Sequence, residues 1–240
     1  MILSGMFGAG GGVGAGDPYL AYNKLLLNME GADASTTFTD SSSLAHTMTA
    51  NGNAQIDTSL GYNSGLFDGS GDYVSTPYVK ADFDWWTTDY TLEAWIYIST
   101  LADWHYTDGT EISSMIGCAV STSTANYWSF GPIGGGVVRM YYYNGAAQSV
   151  TSASAVSTGS LQHIAMTKTA SGIYIGVNGT VTSPVAVSGT PQSSESGFYL
   201  LLGQINNRSI NGHVVAARIK KGVGLYTSSY TPPDPPFPTS

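Results

Sequence analysis

The sequence holds one cysteine, Cys118, and few charges: Asp, Glu, Lys and Arg make up 10% of its 240 residues, against about a quarter in ordinary soluble domains. A lone cysteine excludes an intrachain disulfide, and with it the cross-linked scaffold of small secreted domains. Cys118 reads as a buried thiol in a strand. Eight Lys and Arg stand against 16 Asp and Glu, a net charge of -8, and no basic cluster exceeds Lys220-Lys221. Nucleic acid is therefore excluded as a partner, because its recognition starts with neutralising phosphates. No run reaches the roughly 20 apolar residues of a membrane span, so no membrane insertion is expected. The start MILSGMFGAG carries no positive segment and breaks into glycine before an apolar run of about 7 to 15 residues can build up. We expect no secretory signal and synthesis in a cytoplasm. Convincing amphipathic helices are also missing.

Gly, Ser, Thr and Tyr are abundant instead, and the apolar pattern has a period of two. In Tyr90-Thr-Leu-Glu-Ala-Trp-Ile-Tyr-Ile98, Leu92, Ala94, Ile96 and Ile98 fall on one face and Thr91, Glu93, Trp95 and Tyr97 on the other. Similar runs cover residues 137–143, 161–169, 172–177, 198–203 and 212–220. Residues 19–29 read either as a helical turn or, over Lys24–Met29, as a buried strand. Asn-Gly dipeptides at Asn51, Asn144, Asn178 and Asn211 predict tight turns, since both residues tolerate positive φ. A dozen or so short strands predict an all-β, two-sheet antiparallel sandwich. No linker divides its middle, so the expected organisation is a glycine-rich arm over 1–23, one domain over 24–230 and a proline-rich tail over 231–240. Five prolines hold that tail extended and keep it out of a central strand.

Three stretches of the first half, residues 25–42, Leu66-Phe-Asp-Gly-Ser-Gly-Asp-Tyr-Val74 and Asp89–Tyr97, resemble the opening of laminin-G-like, concanavalin A-like jelly-roll domains. Leu161–Thr167, Tyr174–Gly179 and Asn211–Thr227 with Tyr230-Thr-Pro-Pro233 are similar to their second half. The resemblance implies a jelly roll, and such modules occur in bacteriophage virion proteins (tail fibres, head fibres, capsid decorations) and in secreted glycan-binding and glycan-cleaving proteins. Fold alone does not choose between these. Relatives commonly carry an Asp-Glu pair in the last long strand that helps hold a structural calcium ion; here Val215 and Ala216 occupy those positions. Glu30 and Asp33, in the matching N-terminal segment, are the remaining oxygen donors for such an ion, which wants six to eight ligands. Otherwise no cofactor is expected.

Enzymatic activity is not expected either. A glycosidase needs two carboxylates about 5 to 9.5 Å apart, and retaining enzymes of this superfamily array them as Glu-x-Asp-x-(x)-Glu on one strand. The four glutamates, Glu30, Glu93, Glu111 and Glu195, form no such array. Glu93 reads as structural, and His46, His105, His163 and His213 are too scattered for a catalytic triad. Trp104, His105, Tyr106 and Asp108, followed by Glu111, gather aromatic rings and polar groups in one loop where relatives also have a loop, a candidate glycan contact. Tyr141-Tyr-Tyr-Asn-Gly145 is a second, better read as a strand end, and Trp85-Trp86 reads as core packing.

The arm holds Gly8, Gly10, Gly11, Gly12, Gly14 and Gly16. Its Gly10-x-Gly12-x-x-Ala15 is no dinucleotide fingerprint, because no strand precedes it and Asp17-Pro18 follows where a helix would run. Glycine and alanine can thread a narrow groove between subunits, having little bulk and access to positive φ. The expected function is thus a non-enzymatic structural protein of a phage virion. Its arm would anchor it to other virion proteins, with self-association as a homo-oligomer also open. The alternative is a carbohydrate-binding module that meets host or environmental glycans.

Overall fold

The structure, a computed structural model, describes residues 16–101, 115–119, 128–192, 197–205 and 208–240. Its strands are, in chain order, β1 (Asn23–Leu27), β2 (Thr49–Asn51), β3 (Gln55–Asp57), β4 (Ser64–Asp68), β5 (Tyr73–Pro77), β6 (Tyr90–Thr100), β7 (Ile116–Ala119), β8 (Trp128–Pro132) and β9 (Val137–Tyr143). They continue with β10 (Ala147–Ala155), β11 (Leu161–Thr169), β12 (Gly172–Val177), β13 (Thr180–Val181), β14 (Tyr199–Leu202), β15 (Gln204–Ile205), β16 (Arg208–Ser209) and β17 (Asn211–Lys221). One four-residue helix, α1 (Lys80–Phe83), interrupts them.

An eight-stranded sheet runs β13-β12-β11-β6-β17-β4-β3, and a seven-stranded sheet runs β10-β9-β8-β7-β14-β5-β2. In the first sheet β4 and β1 share one side of β17, β4 along Asn211–Val214 and β1 along Ala217–Lys220. The expected alternation of β6 is present: Leu92, Ala94, Ile96 and Ile98 enter the core between the sheets, together with Trp85, Trp128, Phe67 and Phe130. The antiparallel sandwich predicted from the sequence is thus the fold, and residues 19–29 resolve into a short 3-10 turn (Leu20–Tyr22) followed by β1.

Turn chemistry behaves as expected at Asn178-Gly179, where φ of 47° and 86° make the two-residue link between β12 and β13. Asn144-Gly145, with Ala146, joins β9 to β10, and there Gly145 alone of the pair takes positive φ, 103°. Asn211-Gly212 differs: it opens β17, at a bulge against β6, because its pairing with both β4 and β6 outweighs its turn preference.

The second face of β6 is buried too, by the chain ends. Thr91 Oγ1 donates to Val223 O and accepts from Leu225 N, each at 3.0 Å. Trp95 Nε1 donates to Pro233 O at 2.8 Å. Asn28 clasps the backbone of Phe237 on both sides at 2.9 Å. Phe237 closes a small cluster with Leu26 and Ala216. Residues 16–22, assigned to the arm by composition, lie on the same face, and Asp17 N donates to Ser240 O at 3.3 Å. The outer face of the seven-stranded sheet has its own cover, where Ile205 of the β15–β16 hairpin packs with Ala119, Tyr141 and Leu201.

Candidate functional site

Charges inside a sandwich demand an account, and this one has a cluster. Glu93 on β6, His163 on β11 and Arg218 and Lys220 on β17 project to the outer face of the eight-stranded sheet, under the tail. The Glu93 carboxylate accepts from Arg218 Nε at 2.7 Å, from Tyr226 OH at 2.7 Å and from His163 Nε2 at 2.9 Å. A carboxylate only accepts, so His163 donates from Nε2, and its Nδ1 meets Tyr230 OH at 2.9 Å. Asp17 completes the cluster by taking Arg218 Nη1 at 3.0 Å and Lys220 Nζ at 2.6 Å. Two anions and two cations therefore balance, and the Phe237 ring caps Arg218 with 4.1 Å between guanidinium carbon and ring centre.

This group has the residue types of an active site and the burial of a structural knot. The side chains of Glu93 and His163 are both 0% exposed. Burial pushes the Glu93 carboxyl up, but the His163 hydrogen bond and the Arg218 charge outweigh it and hold the acid below its ordinary value. A general acid in hydrolysis needs the opposite shift. Burial likewise pushes the Tyr226 and Tyr230 hydroxyls well up, so they stay protonated donors. Cys118 lies in the core with its thiol pushed up by burial and by the Asp84 charge, in line with the inert buried thiol expected for it.

Accessible chemistry sits elsewhere. Two clefts, of ≈ 390 Å³ and ≈ 550 Å³, share Trp86, Thr190 and Pro191 in their walls. Trp85 and Trp86 are adjacent in the loop before β6: Trp85 is 0% exposed in the core, and Trp86, at a bend, remains partly exposed. The two rings meet edge-on at 5.9 Å, which fixes the Trp86 plane against a rigid neighbour. Lys168 and Thr169 stand on one side of Trp86, and Lys80, Thr87 and Gln192 on the other. Lys168 Nζ donates to Thr88 O at 3.0 Å, which holds the ammonium at the cleft edge. As expected, Trp85 lies in the core, and Trp86, partly buried, packs against it.

A third cleft, of ≈ 400 Å³, opens on the outer face of the eight-stranded sheet between Glu30, Tyr62, Leu161, Val215 and the Pro235-Pro236 pair. A bulge at β17 between Val214 and Ala216 turns Val215 out into it. Glu30, considered above as a calcium ligand, is the one carboxylate on this wall. Asp33 lies apart from it, its Oδ1 accepting from Thr58 N at 3.1 Å and Thr58 Oγ1 at 3.3 Å. One acid opposite the hydrocarbon of Val215 does not fit a hard cation that wants six to eight oxygens. Among the described residues no group of three or more His, Cys, Asp or Glu side chains could hold a metal ion.

Of the sequence-derived site residues, Trp104, His105, Tyr106, Asp108, Gly8, Gly10, Gly11, Gly12 and Gly14 lie outside the described residues. Gly16 is exposed beside the C-terminal residue. The Trp86 clefts were not anticipated from the sequence, where the adjacency of two tryptophans was the available signal.

Comparison with known proteins fits this architecture. A family model described as the concanavalin A-like lectin/glucanases superfamily matches residues 68–222. No match was found among curated proteins. Domain 4 of a GH43 extracellular arabinanase from Geobacillus stearothermophilus, solved in complex with arabinotriose, is similar with a TM-score of 0.62 at 15% identity, over 85% of this chain and 95% of that one. The binding domain of botulinum neurotoxin DC in complex with SialylT has a TM-score of 0.57 at 13% identity, over 88% of this chain and 49% of its own. Trypanosoma rangeli sialidase in complex with sialic acid gives 0.55 at 14% identity, over 88% of this chain and 31% of its own. These likenesses carry the fold, whereas the family match spans more than half of the sequence: the chain belongs to the concanavalin A-like lectin/glucanase superfamily.

Proposed function

We propose that this chain is a non-catalytic carbohydrate-binding domain whose sugar contact is the Trp86 groove. One observation carries the reading: a partly exposed indole stands at the junction of two clefts with Lys, Thr and Gln side chains on their rims. A pyranose or furanose ring has an apolar C–H face and a polar hydroxyl edge. An indole face takes the first, and ammonium, hydroxyl and amide groups take the second. The same arrangement suits binding without turnover, because Glu93 is sealed and held charged beneath the tail. Neighbours of the fold solved with arabinotriose and sialic acid support a glycan as the ligand class. A glycan array probed with the wild-type chain and with Trp86→Ala tests this. Retained glycans should be lost in the variant; wild type without any ligand, or a variant with an unchanged profile, refutes it.

Display on a phage particle is a second reading, and one observation favours its tethering geometry. Gly16 is exposed, and Asp17 next to it is bonded to the C-terminal Ser240 and to Arg218 and Lys220. An arm leaving there starts from a fixed, charged anchor on the domain surface, so a pull on residues 1–15 is transmitted to the body through Asp17. Display and sugar binding are compatible roles.

A further inference from the structure

The cleft at Glu30 has a composition that sugar recognition does not explain. Its walls are hydrocarbon and aromatic: Val215, Leu161, Tyr62 and the Pro235-Pro236 rings. Of its amides, Asn28 is engaged with both sides of the Phe237 backbone, and Asn63 Nδ2 donates to Gly31 O at 3.0 Å. Glu30 is the charged group of the lining: among the described residues its carboxylate makes no hydrogen bond or ion pair, and it is exposed on the rim. The protein's own cations on this face, Arg218 and Lys220, are occupied by Glu93 and Asp17.

A ligand for this cleft must satisfy a negative charge and an apolar wall together. A neutral sugar offers many hydroxyls to a surface with few free partners for them. An inorganic divalent ion would find one carboxylate and would have to shed water against hydrocarbon. An alkylammonium group matches both features, since its charge meets Glu30 while its carbon shell lies on Val215, Leu161 and the prolines, and a cation within about 6 Å of the Tyr62 ring gains from its π-face. The size agrees, as ≈ 400 Å³ lies at the small end of ligand sites. We propose that the Glu30–Tyr62 cleft binds a compact organic cation of the quaternary alkylammonium class, as a free small molecule and independently of glycan binding at Trp86.

Titration of the full chain with choline chloride, followed by amide chemical shifts, tests this. Saturable shifts confined to residues around Glu30, Tyr62 and Val215 are expected. Glu30→Gln and Tyr62→Leu should each weaken the affinity, Glu30→Gln by about fivefold or more. The uncharged carbon analogue 3,3-dimethylbutanol should bind more weakly than choline by a similar factor. Glu30 is exposed, so Glu30→Gln should keep the wild-type unfolding midpoint, and a loss of binding then reports the site. Four results overturn the proposal: no saturable choline shift, unchanged affinity in Glu30→Gln, equal binding of the neutral analogue, or displacement of choline by calcium chloride at lower concentration than choline itself requires. Failure of the Trp86 array experiment leaves this test untouched, because the two sites share no residue.

Discussion

Glu93→Gln is the substitution with the most calculable consequence. The wild-type carboxylate receives three donors, Arg218 Nε at 2.7 Å on one oxygen and Tyr226 OH at 2.7 Å and His163 Nε2 at 2.9 Å on the other. Glutamine keeps one oxygen and replaces the other with an NH2 group. With the NH2 toward Arg218 a donor faces a donor; with it toward His163 and Tyr226, the hydroxyl must turn to accept and His163 must move its proton to Nδ1. The charge balance fails as well: Arg218 and Lys220 are left sharing Asp17, a net positive charge in a site where Lys220 is 0% exposed. Removing one partner of a buried ion pair costs about 3–5 kcal/mol. For a chain of this length each kcal/mol lowers the melting temperature by about 2–4 °C, so a drop of about 6–20 °C is expected in thermal and denaturant unfolding.

The double variant Glu93→Met, Arg218→Met should recover most of the loss, since it leaves Asp17 and Lys220 as a neutral pair and fills the space with hydrocarbon. Acid provides an independent readout. The Glu93 carboxyl is held below its ordinary value of 4.5 in the fold, so its stabilisation is complete above that pH and is lost as pH falls through the lowered value. Glu93→Gln should therefore flatten the acid limb of the stability profile below pH 4.5. A single variant within about 1 kcal/mol of wild type, with an unchanged acid limb, would refute the assignment of this cluster as the lock between sheet and tail.

Phe237→Ala removes the one aromatic anchor of the proline-rich tail, 1% exposed over Arg218; up to about 3–5 kcal/mol is at stake, and limited proteolysis should clip the tail in the variant far faster than in wild type. Cys118 should resist thiol reagents in the native state and label only on unfolding, because burial keeps the thiol protonated; rapid native labelling would contradict its place in the core. Deleting residues 2–15 spares Asp17 and its bonds to Arg218 and Lys220, so the domain should melt at the wild-type temperature. If the chain is a displayed virion protein, that deletion should abolish incorporation into particles, and normal incorporation would count against the arm as anchor.

The sandwich was legible because period-two alternation writes the core face directly: Leu92, Ala94, Ile96 and Ile98 are buried where the pattern puts them. The opposite face was not legible from β6 alone, because Thr91, Glu93 and Trp95 are covered by partners more than 120 residues later in the chain. Its signature was dispersed: Arg218 and Lys220 two apart after the apolar run Val214–Ala217, and a single Phe237 among prolines. Glu93 was read as structural, yet its partners His163, Arg218 and Tyr226 come from elements whose proximity only the topology supplies. The same limit explains the surface clefts. Trp86 borders Thr190 and Lys168 in one cleft wall, and no local motif announces it. Glu30 was read as a remaining metal ligand and Val215 as the place where an acid is lost; the fold does bring them to one cleft, with hydrocarbon where a second acid would be needed.

The central claim, sugar recognition by the Trp86 groove, is tested most directly by the indole N–H resonances of the five tryptophans during titration with an oligosaccharide retained on the array. Trp86→Phe assigns its peak. The account predicts a saturable shift of the Trp86 peak, with Trp85, Trp95 and Trp128 held in place by their burial or hydrogen bonds. A shift confined to Trp104, or to Trp95, with Trp86 unmoved at saturation, would contradict it.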